Sequence, residues 1–206
     1  LEIGCNDGVF LNHVVKNNKI KCIGVDPAKN VIKKIKDKRI TAYGKPFDLK
    51  LSKKIKSRFK KVDLIVSSFS FGHIDNMKSV VGGIDNLLDE NGKFIFEIYY
   101  LGTVIKEFQY DMMYHEHMTY YTIKSLNKFL ANYNLRIFNI EQIKLRSGSL
   151  RFYCCRLDNK RVNSKNVEKF LGYENKNGFN KLSNLITYNK KINKTKEDMI
   201  KLLKKL

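Results

Sequence analysis

An α/β fold, a largely parallel sheet with helices on both faces, is the class this sequence predicts, and three observations predict it. From residue 1 to about residue 100, short apolar runs alternate with amphipathic stretches, as strands and their covering helices do. A turn rich in small residues, Gly4-Cys5-Asn6-Asp7-Gly8, follows the first apolar run. An acid, Asp26, ends the second run about twenty residues further on, the arrangement found in nucleotide-binding doubly wound sheets.

Leu1–Gly4 reads as the first strand, and Val9–Lys16 as the helix that the glycine turn opens. Lys21–Val25 is the second strand, with a helix at Asn30–Lys36 after it. Ile40–Tyr43, Val62–Ser67 and Lys93–Tyr100 supply three more strands, with helices at Leu51–Ser57 and Met77–Asp89 between them. In Asp89-Glu90-Asn91-Gly92 the glycine is expected to cap the fourth helix in the left-handed conformation. A helix at Thr122–Tyr133 and strands at Leu135–Ile143 and Leu150–Leu157 follow. Beyond Arg161, Leu182, Leu185, Ile192, Met199 and Leu203 recur at three-four spacing, which predicts a long amphipathic helix whose apolar stripe needs a partner. Residues 1–157 are therefore read as the core and 158–206 as a helical linker to a C-terminal domain missing from this sequence. The first strand starts at residue 1 without a turn or cap before it, so a missing N-terminal part is expected as well.

Composition narrows the function classes. Among 206 residues, 40 Lys and Arg against 20 Asp and Glu give a formal charge of +20, which invites phosphate-bearing partners. The lysines are spread along the whole chain instead of concentrating with arginine and aromatics, which argues for a generally solvated basic surface over a nucleic-acid patch. Cys5, Cys22, Cys154 and Cys155 lack the paired spacing of a zinc site, so no metal is expected among these residues. No apolar run approaches the roughly 20 residues of a membrane span, and a soluble cytoplasmic protein is expected.

Gly4 and Gly8 bracket Asn6, a weaker pattern than three glycines, and let a ligand come close to the backbone. In Gly24-Val25-Asp26-Pro27 the carboxylate is placed to accept both hydroxyls of an adenosine ribose. A dinucleotide and S-adenosylmethionine share that ribose. Glu2 and Asp7 separate them, because acids at the glycine turn repel a pyrophosphate and attract the sulfonium and ammonium groups of S-adenosylmethionine. Phe47, in Lys45-Pro46-Phe47-Asp48 after the third strand, either flanks the adenine or belongs to the core.

Five ordered segments carry a family resemblance: Glu2-Ile3-Gly4-Cys5-Asn6-Asp7-Gly8, Gly24-Val25-Asp26-Pro27-Ala28, Phe71-Gly72-His73-Ile74, Tyr114-His115-Glu116-His117 with Tyr120-Tyr121, and Gly148-Ser149-Leu150-Arg151. Across Leu1–Tyr153 the chain resembles the sugar C-methyltransferases that act on nucleotide-linked deoxy-keto-hexoses, whose first loop reads EIGxNDG. The resemblance implies a Rossmann-like class I methyltransferase core, S-adenosylmethionine as cofactor and a nucleotide-linked sugar as small-molecule substrate. It also implies a zinc-binding domain before this core and a further domain after it, neither within these residues, with zinc expected only in the former.

Methylation of carbon requires a carbanion, so a base with a pKa near neutrality must remove a proton beside a carbonyl. The resemblance implies His117 as that base, with Glu116 and Tyr114 holding the substrate or the base and His73 near the methyl donor. His115-Glu116-His117 lacks the gap of HExxH that would make it a zinc site. His115 is read as a loop residue without a role, since neighbouring positions in an extended loop point apart. Two other readings stay open. One is methylation of oxygen or nitrogen in another small molecule, and the other is a basic RNA-binding or RNA-modifying protein. The sequence leaves oligomeric state open.

Overall fold

The computed structural model describes residues 1–17, 20–143 and 148–206. Its strands are β1 (Glu2–Ile3), β2 (Cys22–Val25), β3 (Ile40–Tyr43), β4 (Val62–Ser68), β5 (Leu88–Ile98), β6 (Leu135–Gln142) and β7 (Leu150–Arg156). They form one sheet in the order β3-β2-β1-β4-β5-β7-β6. The pairings from β3 across to β5 are parallel, and β7 runs antiparallel to both of its neighbours. The helices are α1 (Val9–Asn17), α2 (Lys29–Ile32), α3 (Leu49–Phe59), α4 (Met77–Leu87), α5 (Leu101–Lys106), α6 (Ile123–Ala131), α7 (Lys165–Asn177) and α8 (Leu182–Leu203). The expected α/β class and its helical C-terminal segment are both present. Among the described residues, no helix is long and apolar enough to cross a membrane.

The chain order reverses beside β1: β2 and β3 build outwards on one side and β4 on the other. The crevice above the carboxyl ends of β1 and β4 is where sheets of this kind take ligands. Its floor is set by aromatic packing. Phe71, Phe94, Phe96 and Phe152 are almost fully buried, with ring centroids 4.5 Å apart for Phe71 and Phe96 and 5.1 Å for Phe96 and Phe152. Phe71 opens a short 3-10 turn, Phe71–His73, directly after β4. Burying its ring, worth about 2–3 kcal/mol, fixes where His73 emerges.

Two expectations change. The fourth helix does not end in a left-handed glycine: α4 stops at Leu87, Leu88 is already extended and bridges Val62, and Gly92 lies within β5 outside the left-handed region. The terminal carbonyls find another partner, since the buried Arg156 donates to the carbonyls of Asp85 (2.5 Å) and Leu88 (2.6 Å) and pairs with the Asp85 carboxylate. With those carbonyls satisfied, no glycine cap is needed. The helix expected at Asn30–Lys36 is one turn, Lys29–Ile32. Asp37 closes the following loop by binding the Arg39 guanidinium and its backbone N–H. The long amphipathic helix expected through Leu182 and Leu203 is present as α8, and α7 precedes it, the two separated where Gly178 turns the chain in the left-handed conformation. Below this break, Glu174 is 1% exposed and accepts from the backbone N–H groups of Ile123 and Lys124, pinning α7 to the first turn of α6. Above it, α8 buries only Tyr188 and leaves Leu182, Leu185, Met199 and Leu203 in the open.

Candidate active site

A cavity of about 680 Å³ occupies the crevice at the chain reversal. Its lining comes from the ends of β1 (Ile3, Gly4) and β2 (Val25, Asp26, Pro27), the loop before α3 (Pro46, Phe47, Asp48), the exit of β4 (Ser68, Phe69, Ser70), and His73–Asn76 with Ser79 and Val80. The turn at its floor is built from left-handed residues, Gly4 (φ 77°), Asn6 (φ 51°) and Gly8 (φ 77°). The backbone N–H groups of Gly4 and Cys5 both donate to the carbonyl of Val25 (2.8 and 3.2 Å), which folds the turn back over β2. Asp26 locks it from the other side: one carboxylate oxygen accepts from Asn6 N–H (2.9 Å), the other from Ala28 N–H (2.8 Å). In a chain of net charge +20, the lining of this cavity contains Asp26, Asp48 and Asp75 and neither lysine nor arginine.

A second cluster sits beside the cavity. His117 is 8% exposed, and its ring lies 5.0 Å from that of His73, 4.6 Å from Tyr99 and 4.1 Å from Tyr114, centroid to centroid. Its Nδ1 is 2.7 Å from the Met112 carbonyl oxygen and 3.0 Å from the Tyr120 hydroxyl, which itself donates to Met112. A carbonyl only accepts, so Nδ1 carries the proton in the neutral ring. Nε2 is then the basic nitrogen, and it faces the Tyr114 hydroxyl at 3.0 Å. His73 is held by its own Nδ1, 2.8 Å from the Glu116 carbonyl, and lines the cavity, so it joins the two sites.

Matches to known proteins point the same way. The model of the methyltransferase domain family matches residues 1–140, and that of the C-methyltransferase C-terminal domain matches residues 144–206. The chain belongs to the methyltransferase domain family. A curated relative, C-methyltransferase NovU of Streptomyces niveus, is 27% identical over 150 residues, covering 73% of this chain. The chain spans about a third of that relative's length, 36%. Among solved structures, an S-adenosylmethionine-dependent methyltransferase from Mesorhizobium loti shares the fold at 13% identity (TM-score 0.56; 75% of this chain, 89% of that one). So does the plantazolicin methyltransferase BamL, solved with a triazolic desmethylPZN analog and SAH, at 13% identity (TM-score 0.56; 76% of each chain).

In this methyltransferase the residues singled out from sequence fall into three groups. Gly4, Asp26, Pro27, Phe47 and His73 line the cavity, and Phe47 is at once core and wall, being buried against the main apolar cluster. Asn6, Asp7 and Gly8 shape the turn below it without lining it. Tyr114 and His117 meet in the second cluster, but the Glu116 carboxylate does not reach His117. It is exposed and lies 3.9 Å from His115, and a backbone carbonyl orients the His117 ring in its place. The Ser68–Ser70 exit, Asp75 and Tyr99 were missed, and Tyr120, part of a segment that carries the resemblance, had no role assigned. Finding the first two needs the strand order, which places the end of β4 beside that of β1.

Glu2 is a special case. It lies under the turn, 6% exposed, with Oε2 lacking a hydrogen-bond partner. Burial pushes its carboxyl up to about 7, and the Asp26 carboxylate adds to the rise. The unfolded chain therefore ionises first as pH rises from about 4.5, while the folded one keeps its proton until about 7. Stability falls across that window, by about 2 kcal/mol once solvent screening is allowed for. Denaturant titrations from pH 4.5 to 7.5 are expected to show this decline in the native protein and a flat profile in Glu2→Gln.

Proposed function

We propose that the protein methylates the carbon beside the keto group of a nucleotide-linked deoxysugar, with S-adenosylmethionine as methyl donor. The observation that supports it most is the acidic cavity of an otherwise basic chain, which suits a cationic sulfonium ligand and disfavours a pyrophosphate. When bound, S-adenosylmethionine supplies an electrophilic methyl group on a positively charged sulfur. Asp26 would accept the ribose hydroxyls: each of its oxygens already takes one N–H and keeps a lone pair for another donor. Gly4 and Gly8 hold the turn close, Asn6 presents its N–H to Asp26, Asp7 adds negative potential beneath it, and Glu2 lies buried there, uncharged below about pH 7. Pro27 and Phe47 would wall the adenine. In this reading residues 1–157 form the donor-binding unit, and residues 158–206 its helical attachment.

His117 would act as the base, with Nδ1 fixed on Met112 and Nε2 left basic, and His73 would stand between donor and substrate. Taking the proton beside the keto group makes that carbon nucleophilic. The likeness to C-methyltransferase NovU supports carbon as the acceptor atom. In calorimetric titrations with S-adenosylhomocysteine, Asp26→Ala is expected to weaken affinity roughly 10- to 100-fold, as for loss of hydrogen bonds to a charged group. Unchanged affinity would remove Asp26 from the ribose site.

A further inference from the structure

We infer that the proton leaving the substrate reaches His117 through the hydroxyl of Tyr114, so that the group touching the substrate carbon is a phenol. The inference rests on the proposed function above and specifies its proton path. His117 is buried at 8% exposure, whereas Tyr114 is 44% exposed. The Met112 carbonyl and the Tyr120 hydroxyl occupy Nδ1, and the Tyr114 hydroxyl stands 3.0 Å in front of Nε2. The rings of His73 and Tyr99 flank the imidazole at 5.0 and 4.6 Å. Both nitrogens of the base thus have neighbours within hydrogen-bond distance, and among these neighbours Tyr114 is exposed while Met112 and Tyr120 are half-buried.

The step balances without any further reagent. The substrate C–H bond breaks and its electron pair stays behind as the enolate. The proton passes to Tyr114 Oη while the phenolic proton passes to His117 Nε2. The phenol ends neutral and the imidazole ends as an imidazolium, its Nδ1–H still on Met112. After methyl transfer the proton returns by the same hydroxyl to water, so one proton is released per turnover. The rings facing the pair are His73, Tyr99, Tyr120 and, edge-on to Tyr114, His115, and none of them is a carboxylate. The charge formed on His117 is stabilised by the Met112 carbonyl and the surrounding ring faces.

The test follows exchange of the substrate proton with deuterium oxide, using a nucleotide-linked deoxy-keto-hexose and no methyl donor. In Tyr114→Phe, exchange is expected to fall by at least about 100-fold, with affinity for S-adenosylhomocysteine unchanged. Replacing Tyr114 by 3,5-difluorotyrosine keeps ring and hydroxyl but makes the phenol more acidic, and the alkaline limb of the pH profile is then expected to move toward acid. Near-normal exchange in Tyr114→Phe together with its loss in His117→Asn would overturn the relay and leave the proposed function standing, because His117 would then reach the carbon itself. A pH profile indifferent to the fluorinated residue would overturn it equally.

Discussion

His117→Asn is expected to lower the exchange of the substrate proton by a factor of about 10² to 10⁴, the usual worth of a positioned base, and to lower methyl transfer in parallel. Asparagine is close to histidine in reach and can still donate to the Met112 carbonyl, so the neighbouring rings keep their support. What it lacks is a nitrogen that accepts a proton near neutral pH. The loss should therefore fall on the chemical step. The maximal rate drops, while affinity for the methyl donor, measured calorimetrically, stays within about twofold, since His117 does not line the donor cavity. A variant that exchanges normally would remove His117 from the role of base.

Gly4→Ala is expected to be the most destabilising single change at the donor site. Gly4 has φ 77°, where a side chain costs about 1–2 kcal/mol. A Cβ there would also lie 1.9 Å from Ser70 Oγ and 2.6 Å from Ser70 Cβ. Either the turn after β1 or the exit of β4 must move, and both line the cavity. The combined cost is about 2–5 kcal/mol, a fall in melting temperature of roughly 10 °C for a chain of this size, with donor affinity lost as well. Gly172→Ala is the control. Gly172 lies inside α7 with nothing within 4 Å of a built Cβ, so alanine should stabilise by about 0.5–1 kcal/mol. Thermal unfolding of the two variants beside the native protein checks both signs. A Gly4→Ala protein that melts normally would show that the turn relaxes without strain.

The two halves of the site differ in how far they could be read from residue order. Strands β1 to β5 were legible because apolar runs of four to eight residues separated by amphipathic stretches have few other folded solutions. Asp26 was legible because it ends one of those runs. Strand order was not, since periodicity says which residues face inwards and nothing of which strand lies beside which, so the Ser68–Ser70 wall escaped notice. The orientation of His117 was equally hidden. It depends on the carbonyl of Met112, a backbone atom that any residue type would supply, and on the loop conformation that brings Tyr120 round to it. The end of α4 misled for a related reason: Arg156 caps it from 68 residues away in the chain, and such a partner leaves no local signal.

The central claim is that the acid-lined crevice between β1 and β4 holds a positively charged adenosyl sulfur compound. Isothermal titration of the protein with S-adenosylmethionine and, separately, with nicotinamide adenine dinucleotide tests it most directly. Saturable binding of the sulfonium compound, weakened in Asp26→Ala, with no heat from the dinucleotide, is the predicted result. Saturable uptake of the dinucleotide with none of S-adenosylmethionine would contradict it.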